Sequence, residues 1–269
     1  MAIQTIQKGT LEYLTAEWIT APHAFTTRFG GVSEDYLFSL NLAMGRGDAP
    51  GNVEKNYAIL GEALGFDPKN AVLTWQIHSD IVRRVTREDA RGLDHRSYPQ
   101  CDGLITNDPR TALVVFSADC TPILFHDPVT GAVGAAHAGW RGTAADIAGK
   151  TVQAMVREFG CKAEDIRAAI GPNIAQCCFQ TDMDVPLAMK ETFGKEVCSL
   201  VKYIRPAGEK SYVNLKEINA LALRRAGVTK IEISKDCTVC QSHRFWSHRA
   251  TKGHRGSQGA IIVCKEGNV

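Results

Sequence analysis

The feature that most constrains this fold is a dense succession of short runs rich in β-branched and aromatic residues, most of them bounded by Gly, Pro, Asn or Asp. These runs predict strands over residues 11–19, 23–27, 71–76, 81–86, 103–106, 112–117, 123–126 and 132–137. Further along, strands and helices alternate, with helices over 144–159, 185–193 and 215–226 and strands over 166–170, 230–233, 245–248 and 260–264. In the 144–159 segment Ala148, Val152, Met155, Val156 and Phe159 form one apolar stripe, and Gly160 supplies a stop. An earlier helix over 53–64 places Val53, Tyr57, Leu60 and Leu64 on one face, with Asn52 as its cap. Mixed elements in this order imply an α/β or α+β layered fold rather than a pure sandwich or a helix bundle. The chain holds no repeat, low-complexity tract or Pro/Ser-rich linker, which implies one domain over residues 1–269.

Charge narrows the function. Lys and Arg total 31 against 29 Asp and Glu, and no basic run stands out, so electrostatic capture of nucleic acid or an anionic membrane has little to act on. A small-molecule substrate is the better expectation. No run of about 18 apolar residues occurs, and the N-terminal stretch lacks the apolar core of a secretory signal. Nine cysteines, an odd number, read as reduced thiols in a cytoplasmic protein, a minority of them serving metal binding or catalysis.

Side chains converge where strands end in tight turns, and three such places carry chemistry-bearing residues. They are Gln76-Ile-His78-Ser-Asp80, Ser117-Ala-Asp119-Cys120-Thr-Pro122 and Ala136-His137-Ala-Gly139-Trp140-Arg141. Pro122 is expected to stop the strand before it from continuing as a regular central strand. Two imidazoles and a thiolate suit zinc, and three protein ligands leave the fourth position open. The three residues are far apart in sequence, so spacing does not bring them together; each His also fits a core or surface role, and Cys120 fits a small buried apolar role or that of a thiol nucleophile. A second set, Cys237-Thr-Val-Cys240-Gln-Ser-His243, has local ligand spacing that fits a structural zinc completed by His248 or His254, or else a turn with two partly buried thiols. The adjacent pair Cys177-Cys178 reads as packing. Arg28, before the Gly30-Gly31 turn, and Arg141, at a helix start, are candidates to grip an anion or to make surface ion pairs. Asp102 and Asp119 read as acids that orient the His ligands, or as turn residues. No phosphate loop, dinucleotide fingerprint, HExxH or GxSxG motif is present.

Taken together, Thr26-Thr-Arg28-Phe-Gly-Gly-Val-Ser33, Ser39-Leu-Asn41-Leu, Cys101-Asp102-Gly-Leu-Ile-Thr106, Ala118-Asp119-Cys120-Thr-Pro122, His137-Ala-Gly-Trp-Arg-Gly142 and Phe245-Trp-Ser-His-Arg249 resemble the laccase-domain proteins. That family is also called multicopper polyphenol oxidases, peptidoglycan editing factors and purine nucleoside phosphorylases. The resemblance implies a single-domain four-layer α-β-β-α fold with mixed sheets, largely monomeric, with zinc on His78, Cys120 and His137. It also implies Arg28 in the active site, with Arg28, Cys120 and His137 catalytic and Arg28, Asn41 and Arg141 contacting substrate. The implied activities are phosphorolysis of adenosine, inosine and 5′-methylthioadenosine, and deamination of adenosine, so the partners are a purine nucleoside and phosphate. The sequence departs from the family pattern at Met44–Asp48, His248–Gly256 and Asn173, which bears on substrate preference.

On this reading the metal activates water or phosphate while Arg28 steadies the phosphate, and Asp102 is a candidate donor to the departing purine. A second reading keeps Cys120 as a thiolate nucleophile with His137 as base, hydrolysing an amide such as a peptidoglycan precursor. Copper-dependent oxidation ranks below both, because one His-Cys-His set does not supply several copper centres. The non-enzymatic alternative is a binding module stabilised by zinc on Cys237, Cys240 and His243.

Overall fold

The computed structural model describes residues 3–203 and 210–265. Its first strands are β1 (Gln4–Lys8), β2 (Leu11–Thr15), β3 (His23–Thr26), β4 (Ala71–Leu73) and β5 (Val82–Arg84). The strand-dense middle supplies β6 (Gly103–Thr106), β7 (Ala112–Ser117), β8 (Thr121–His126) and β9 (Val133–Ala138). The later strands are β10 (Arg167–Ile170), β11 (Gln180–Asp182), β12 (Val201–Tyr203), β13 (Lys210–Val213), β14 (Lys230–Ile233) and β15 (Gln258–Val263). The helices are α1 (Pro50–Leu64), α2 (Trp140–Ala144), α3 (Ile147–Phe159), α4 (Asp184–Phe193), α5 (Leu215–Arg225) and α6 (His248–Thr251).

Two six-stranded mixed sheets dominate, ordered β1-β2-β3-β15-β7-β4 and β14-β10-β8-β9-β6-β5, with a small antiparallel sheet β11-β13-β12 beside them. In the first large sheet only β4 runs parallel to its neighbour; in the second the parallel pairs are the two edges, β14 with β10 and β5 with β6. Every residue of β7, β8, β9 and β15 is buried. Their near-continuous apolar runs, instead of a polar–apolar alternation, follow from being covered on both faces. One cover is the other sheet, since β7 and β15 pack on β8 and β9. The second cover is helical. Helices α3 and α5 lie on the second sheet, and α1 sets Val53, Tyr57, Leu60 and Leu64 into the core that holds Val72, Leu113 and Ile261 of the first. The order helix, sheet, sheet, helix is the four-layer mixed α/β arrangement that the resemblance implies.

Several local expectations are corrected. The 144–159 helix begins only at Ile147: Ala144 is the last residue of α2, and Asp146 adopts φ 59° and caps α3 by accepting from Gly149 N at 3.1 Å. Helix α1 begins at Pro50, whose fixed φ suits a first turn, with Ala49 rather than Asn52 at the cap position. Residues 245–248 form no strand: Phe245 and Trp246 are buried, but Phe245 N bonds back to Gln241 O and Trp246 N bonds the side chain of Gln258. Their aromatic character reflects burial, not ladder pairing. Pro122 lies inside the central strand β8, opposite His137, near the strand start where a missing N–H is tolerated. The segments over 11–19, 71–76 and 81–86 are strands only at Leu11–Thr15, Ala71–Leu73 and Val82–Arg84. Exposed β1 and the polar small sheet carry no apolar alternation that would have announced them.

The topology decides where the chemistry sits. The chain passes from the first large sheet to the second between β4 and β5 and again between β7 and β8, and these two crossings hold His78 and Cys120. His137 lies on β9, beside β8. The sheets meet tightly near this end: a Cβ on Gly171 would fall 2.3 Å from Cδ1 of the buried Phe25 ring. Gly171→Ala is therefore expected to destabilise the protein by about 1–3 kcal/mol through overpacking. A denaturant midpoint equal to that of the parent protein would contradict this account of how the sheets meet.

Candidate metal centre

Asp102, just before β6, is fully buried, and the turn over residues 77–79 wraps around its carboxylate. Backbone N–H groups of Ile77, His78 and Ser79 donate to it at 3.1, 3.1 and 2.7 Å, and Ser79 Oγ donates at 2.7 Å. His137 Nδ1 lies 2.8 Å from Oδ1, and His137 N donates to the Asp102 carbonyl at 2.7 Å. Burial alone would raise this carboxyl, but bonding to His137 and Ser79 brings it down to about 2. Asp102 is therefore a fixed anion at neutral pH and not the proton donor that the sequence offered it as. Holding Nδ1 in this way leaves His137 Nε2 free to ligate, the usual arrangement of a carboxylate behind a metal-bound imidazole.

His78 takes φ 61°, a conformation uncommon for a non-glycine residue, and the grip of Asp102 on its turn holds it there. Its Nε2 lies 3.9 Å from Cys120 Sγ, and its ring meets that of His137 edge-on at 5.0 Å. One donor atom from each of His78, Cys120 and His137 falls within 4.8 Å of the others, so the structure brings together the trio that spacing alone did not. Two imidazoles and one thiol at this separation fit a borderline-soft divalent ion with a position to spare. Burial would raise the Cys120 thiol, yet His137 and His78 bring it down to about 6. Gly139 completes the cradle: a Cβ there would stand 2.7 Å from His78 Cδ2 and 3.2 Å from Cys120 Sγ.

Two cavities meet over the trio and share His78, Ala118, Cys120 and Arg255. The smaller, about 150 Å³, adds the polar or cationic side chains of Arg46, Thr74, Gln76, His95 and Ser257. Two of its lining residues each carry a buried nitrogen, Arg255 Nε and His95 Nδ1, with no hydrogen-bond partner among the described residues. Desolvation and nearby Arg46 push the Arg255 guanidinium down to about 10. The two guanidinium groups of Arg46 and Arg255 make this arm suited to an anion. The larger cavity, about 360 Å³, is walled by Trp140, Ile174, Phe179 and Leu215, with His248 and Arg249 at its polar side.

The other residues singled out from sequence lie elsewhere. Arg28 lines neither cavity; its guanidinium donates to the carbonyls of Phe38, Ser242 and Tyr36 and stacks 4.0 Å from the Trp246 ring centroid. Asn41 is buried and holds loops together, bonding Asp48 and accepting from Ser257 N. Arg141 is exposed over the Trp140 ring. Asp119, at φ 96°, accepts from Thr238 Oγ1 and Arg249 N rather than orienting a His. Sequence reasoning missed Arg46, His95 and Arg255. Arg46 had a signal: it stands between Gly45 and Gly47, both at positive φ, the same glycine logic that drew attention to Arg28. The Cys237–Cys240 pair is joined by Cys177 and Cys178, not by His243, which is exposed.

Comparison with known proteins identifies relatives along nearly the whole chain. The family described as Multi-copper polyphenol oxidoreductase laccase matches residues 22–265. The purine nucleoside phosphorylase YlmD of Geobacillus stearothermophilus is 36% identical over 247 residues, spanning 90% of this chain and 89% of that one. A purine nucleoside phosphorylase of Deinococcus radiodurans is 34% identical over 252 residues, covering 94% and 92% of the two chains. The crystal structure of the hypothetical protein YfiH of Bacillus licheniformis superposes with a TM-score of 0.91 at 32% identity, covering 98% and 99%.

The cradle makes two outcomes testable by zinc competition against a chromophoric chelator. Asp102→Asn, which keeps the size but loses the charge behind His137, should weaken zinc binding at this site about 10–100-fold. Gly139→Ala should weaken it too, by displacing the His78 ring. Parent-like affinity in both variants would show that neither residue shapes the site.

Proposed function

Because the chain belongs to the multi-copper polyphenol oxidoreductase laccase family, we propose that it is a zinc-dependent purine nucleoside phosphorylase with His78, Cys120 and His137 as the metal ligands. The observation that carries this reading is the meeting of an anion-suited cavity and a larger aromatic-walled cavity over those three side chains. Zinc held by His78, Cys120 and His137 would supply a Lewis acid at the junction of the two arms. Arg46 and Arg255 hold phosphate in the small arm, so that it is desolvated and oriented before the reaction begins. Trp140, Phe179 and Leu215 pack the nucleoside in the large arm, whose apolar wall suits adenosine, inosine and 5′-methylthioadenosine alike. Asp102 keeps His137 in one tautomer and the 77–79 turn in place. Deamination of adenosine would need the nucleoside turned round, so that the ring carbon bearing the amino group, not the ribose carbon, faces a water in the small arm; water adds there and ammonia leaves.

Arg28 and Asn41 act as positioning residues in this scheme: Asn41 anchors Ser257 beside Arg255, and Arg28 stacks on the Trp246 ring, against which Gly256, next to Arg255, is packed. The chain works as a monomer in the cytoplasm, and the described cysteines are free thiols. No described helix is long and apolar enough to cross a membrane. Among the described residues a single His-Cys-His set is present, which favours zinc over the several coppers of an oxidase.

One observation favours a second reading. Cys120, His137 and Asp102 also form the order of a thiolate, its base and the base's orienting carboxylate, with the thiol already brought down to about 6. That arrangement would hydrolyse an amide, as in editing of a peptidoglycan precursor, without metal.

Incubation of the purified protein with adenosine and phosphate separates the two. The phosphorylase reading expects adenine and ribose 1-phosphate, lost on chelation and restored by zinc. Activity on an amide that survives chelation but not Cys120→Ala would favour the thiol reading and overturn the first. Arg255→Ala should raise KM for phosphate about 10–100-fold, the loss of one charged hydrogen bond worth ~1.5–3 kcal/mol, measured by initial rates at varied phosphate.

A further inference from the structure

A second cluster of soft ligands lies behind the large cavity. Cys177 and Cys178 follow the turn after β10, Cys237 and Cys240 follow β14, and all four Sγ atoms fall within 4.8 Å of one another. Cys178 and Cys240 are 3.4 Å apart, and Cys177 is 3.7 Å from each of them. The sequence made adjacent thiols unlikely partners on one ion. The structure turns them together by bonding both Cys178 N and Phe179 N to Ala175 O, at 2.9 Å each.

Cys237 has backbone donors around its sulfur. Its sulfur accepts from Ala175 N at 3.4 Å and from the N–H groups of Val239 and Cys240, two and three residues further on. Against the rise that burial imposes, these donors bring it down to about 7. A buried ammonium lies near: Lys216 Nζ donates to the carbonyls of Ser234 and Asp236 at 2.8 and 2.6 Å, and Cys237 and Cys177 act on its charge. Elsewhere the crowding has the opposite effect. Burial, with neighbouring thiols, pushes Cys177 up to about 11 and Cys178 higher still. A metal with bonds of about 2.3 Å to four tetrahedral sulfurs sets them about 3.8 Å apart, close to the separations seen here.

We propose that Cys177, Cys178, Cys237 and Cys240 bind one zinc ion as a closed four-thiolate structural site, distinct from the His78, Cys120 and His137 centre. Four soft ligands on one ion leave no position for substrate, so the site's work is mechanical. On binding, the thiols release their protons to solvent and no electron is transferred. The ion staples the segment after β10 to the turn after β14, two strands that pair at the edge of the second sheet. What it braces is the catalytic wall. Phe179, next to Cys178, lines the large cavity, and Cys178 O accepts from Arg249 Nη1 at 3.3 Å. Asp119, beside Cys120, accepts from Ile174 N at 2.9 Å and from Thr238 Oγ1 at 2.6 Å, one bond on each side of the staple.

Elemental analysis and native mass spectrometry of protein prepared with zinc under thiol-protecting conditions count the ions. Two zinc ions per chain are expected in the parent protein, one in Cys240→Ser and one in Cys177→Ser. Cys120→Ser is expected to lose the other ion and keep this one, so failure of the catalytic centre and failure of the staple give different counts. Cobalt exchanged into the parent protein should show the intense thiolate-to-metal absorption of a four-sulfur tetrahedral site, a reading that stands even if a Cys variant does not fold. Equal zinc in the parent and Cys240→Ser proteins, iron in place of zinc, or a disulfide among the four cysteines in the freshly isolated protein would overturn the proposal.

Discussion

The structure of the site depends on one buried carboxylate. Asp102 has no solvent contact, and a bare charge there would be prohibitive, so three backbone N–H groups, a hydroxyl and an imidazole surround it. Meeting that demand shapes everything adjacent. The 77–79 turn must curl, which puts His78 at positive φ and aims its ring at Cys120, and His137 must present Nδ1 inward, which turns Nε2 outward. The cost of burying one anion is thus converted into the relative placement of two imidazoles.

The layers explain why such a carboxylate is available at all. Two mixed sheets pack face to face, and the chain crosses between them at β4–β5 and β7–β8; the crossings cannot be regular strand, so side chains there are free to converge. Backbone strain gathers at the same place, with His78 and Asp119 both at positive φ. The cavities open where the sheets part, one arm polar and cationic and the other apolar, with the ligands at their junction. The chain belongs to the multi-copper polyphenol oxidoreductase laccase family, whose model matches residues 22–265.

How much of this the sequence carried depended on the range of the interaction. The doubly covered strands β7, β8, β9 and β15 were visible as apolar runs because burial on both faces leaves a local mark. The helix start at Ile147 was not visible, since the apolar stripe begins at Ala148 and nothing in it marks Asp146, whose carboxylate turns back on Gly149, as the cap. Phe245 and Trp246 misled in the opposite sense, aromatic because they are buried and not because they pair. For the site, His78, Cys120 and His137 were one candidate ligand set by donor chemistry and became the leading one through resemblance, since no spacing rule joins them across two sheets. Arg255 and His95 left no local mark, and Arg28, which had the best one, uses its guanidinium on carbonyls and Trp246. Cys177 and Cys178 were read as packing because adjacency in sequence hides what a turn does to two side chains.

The most direct test of the central claim is an anomalous difference map at the zinc absorption edge, from a crystal of the protein grown with zinc. The account predicts a peak within bonding distance of His78, Cys120 Sγ and His137 Nε2, with Asp102 still on His137 Nδ1. A map with no peak among those three side chains, and with either imidazole turned away from the thiol, would contradict it.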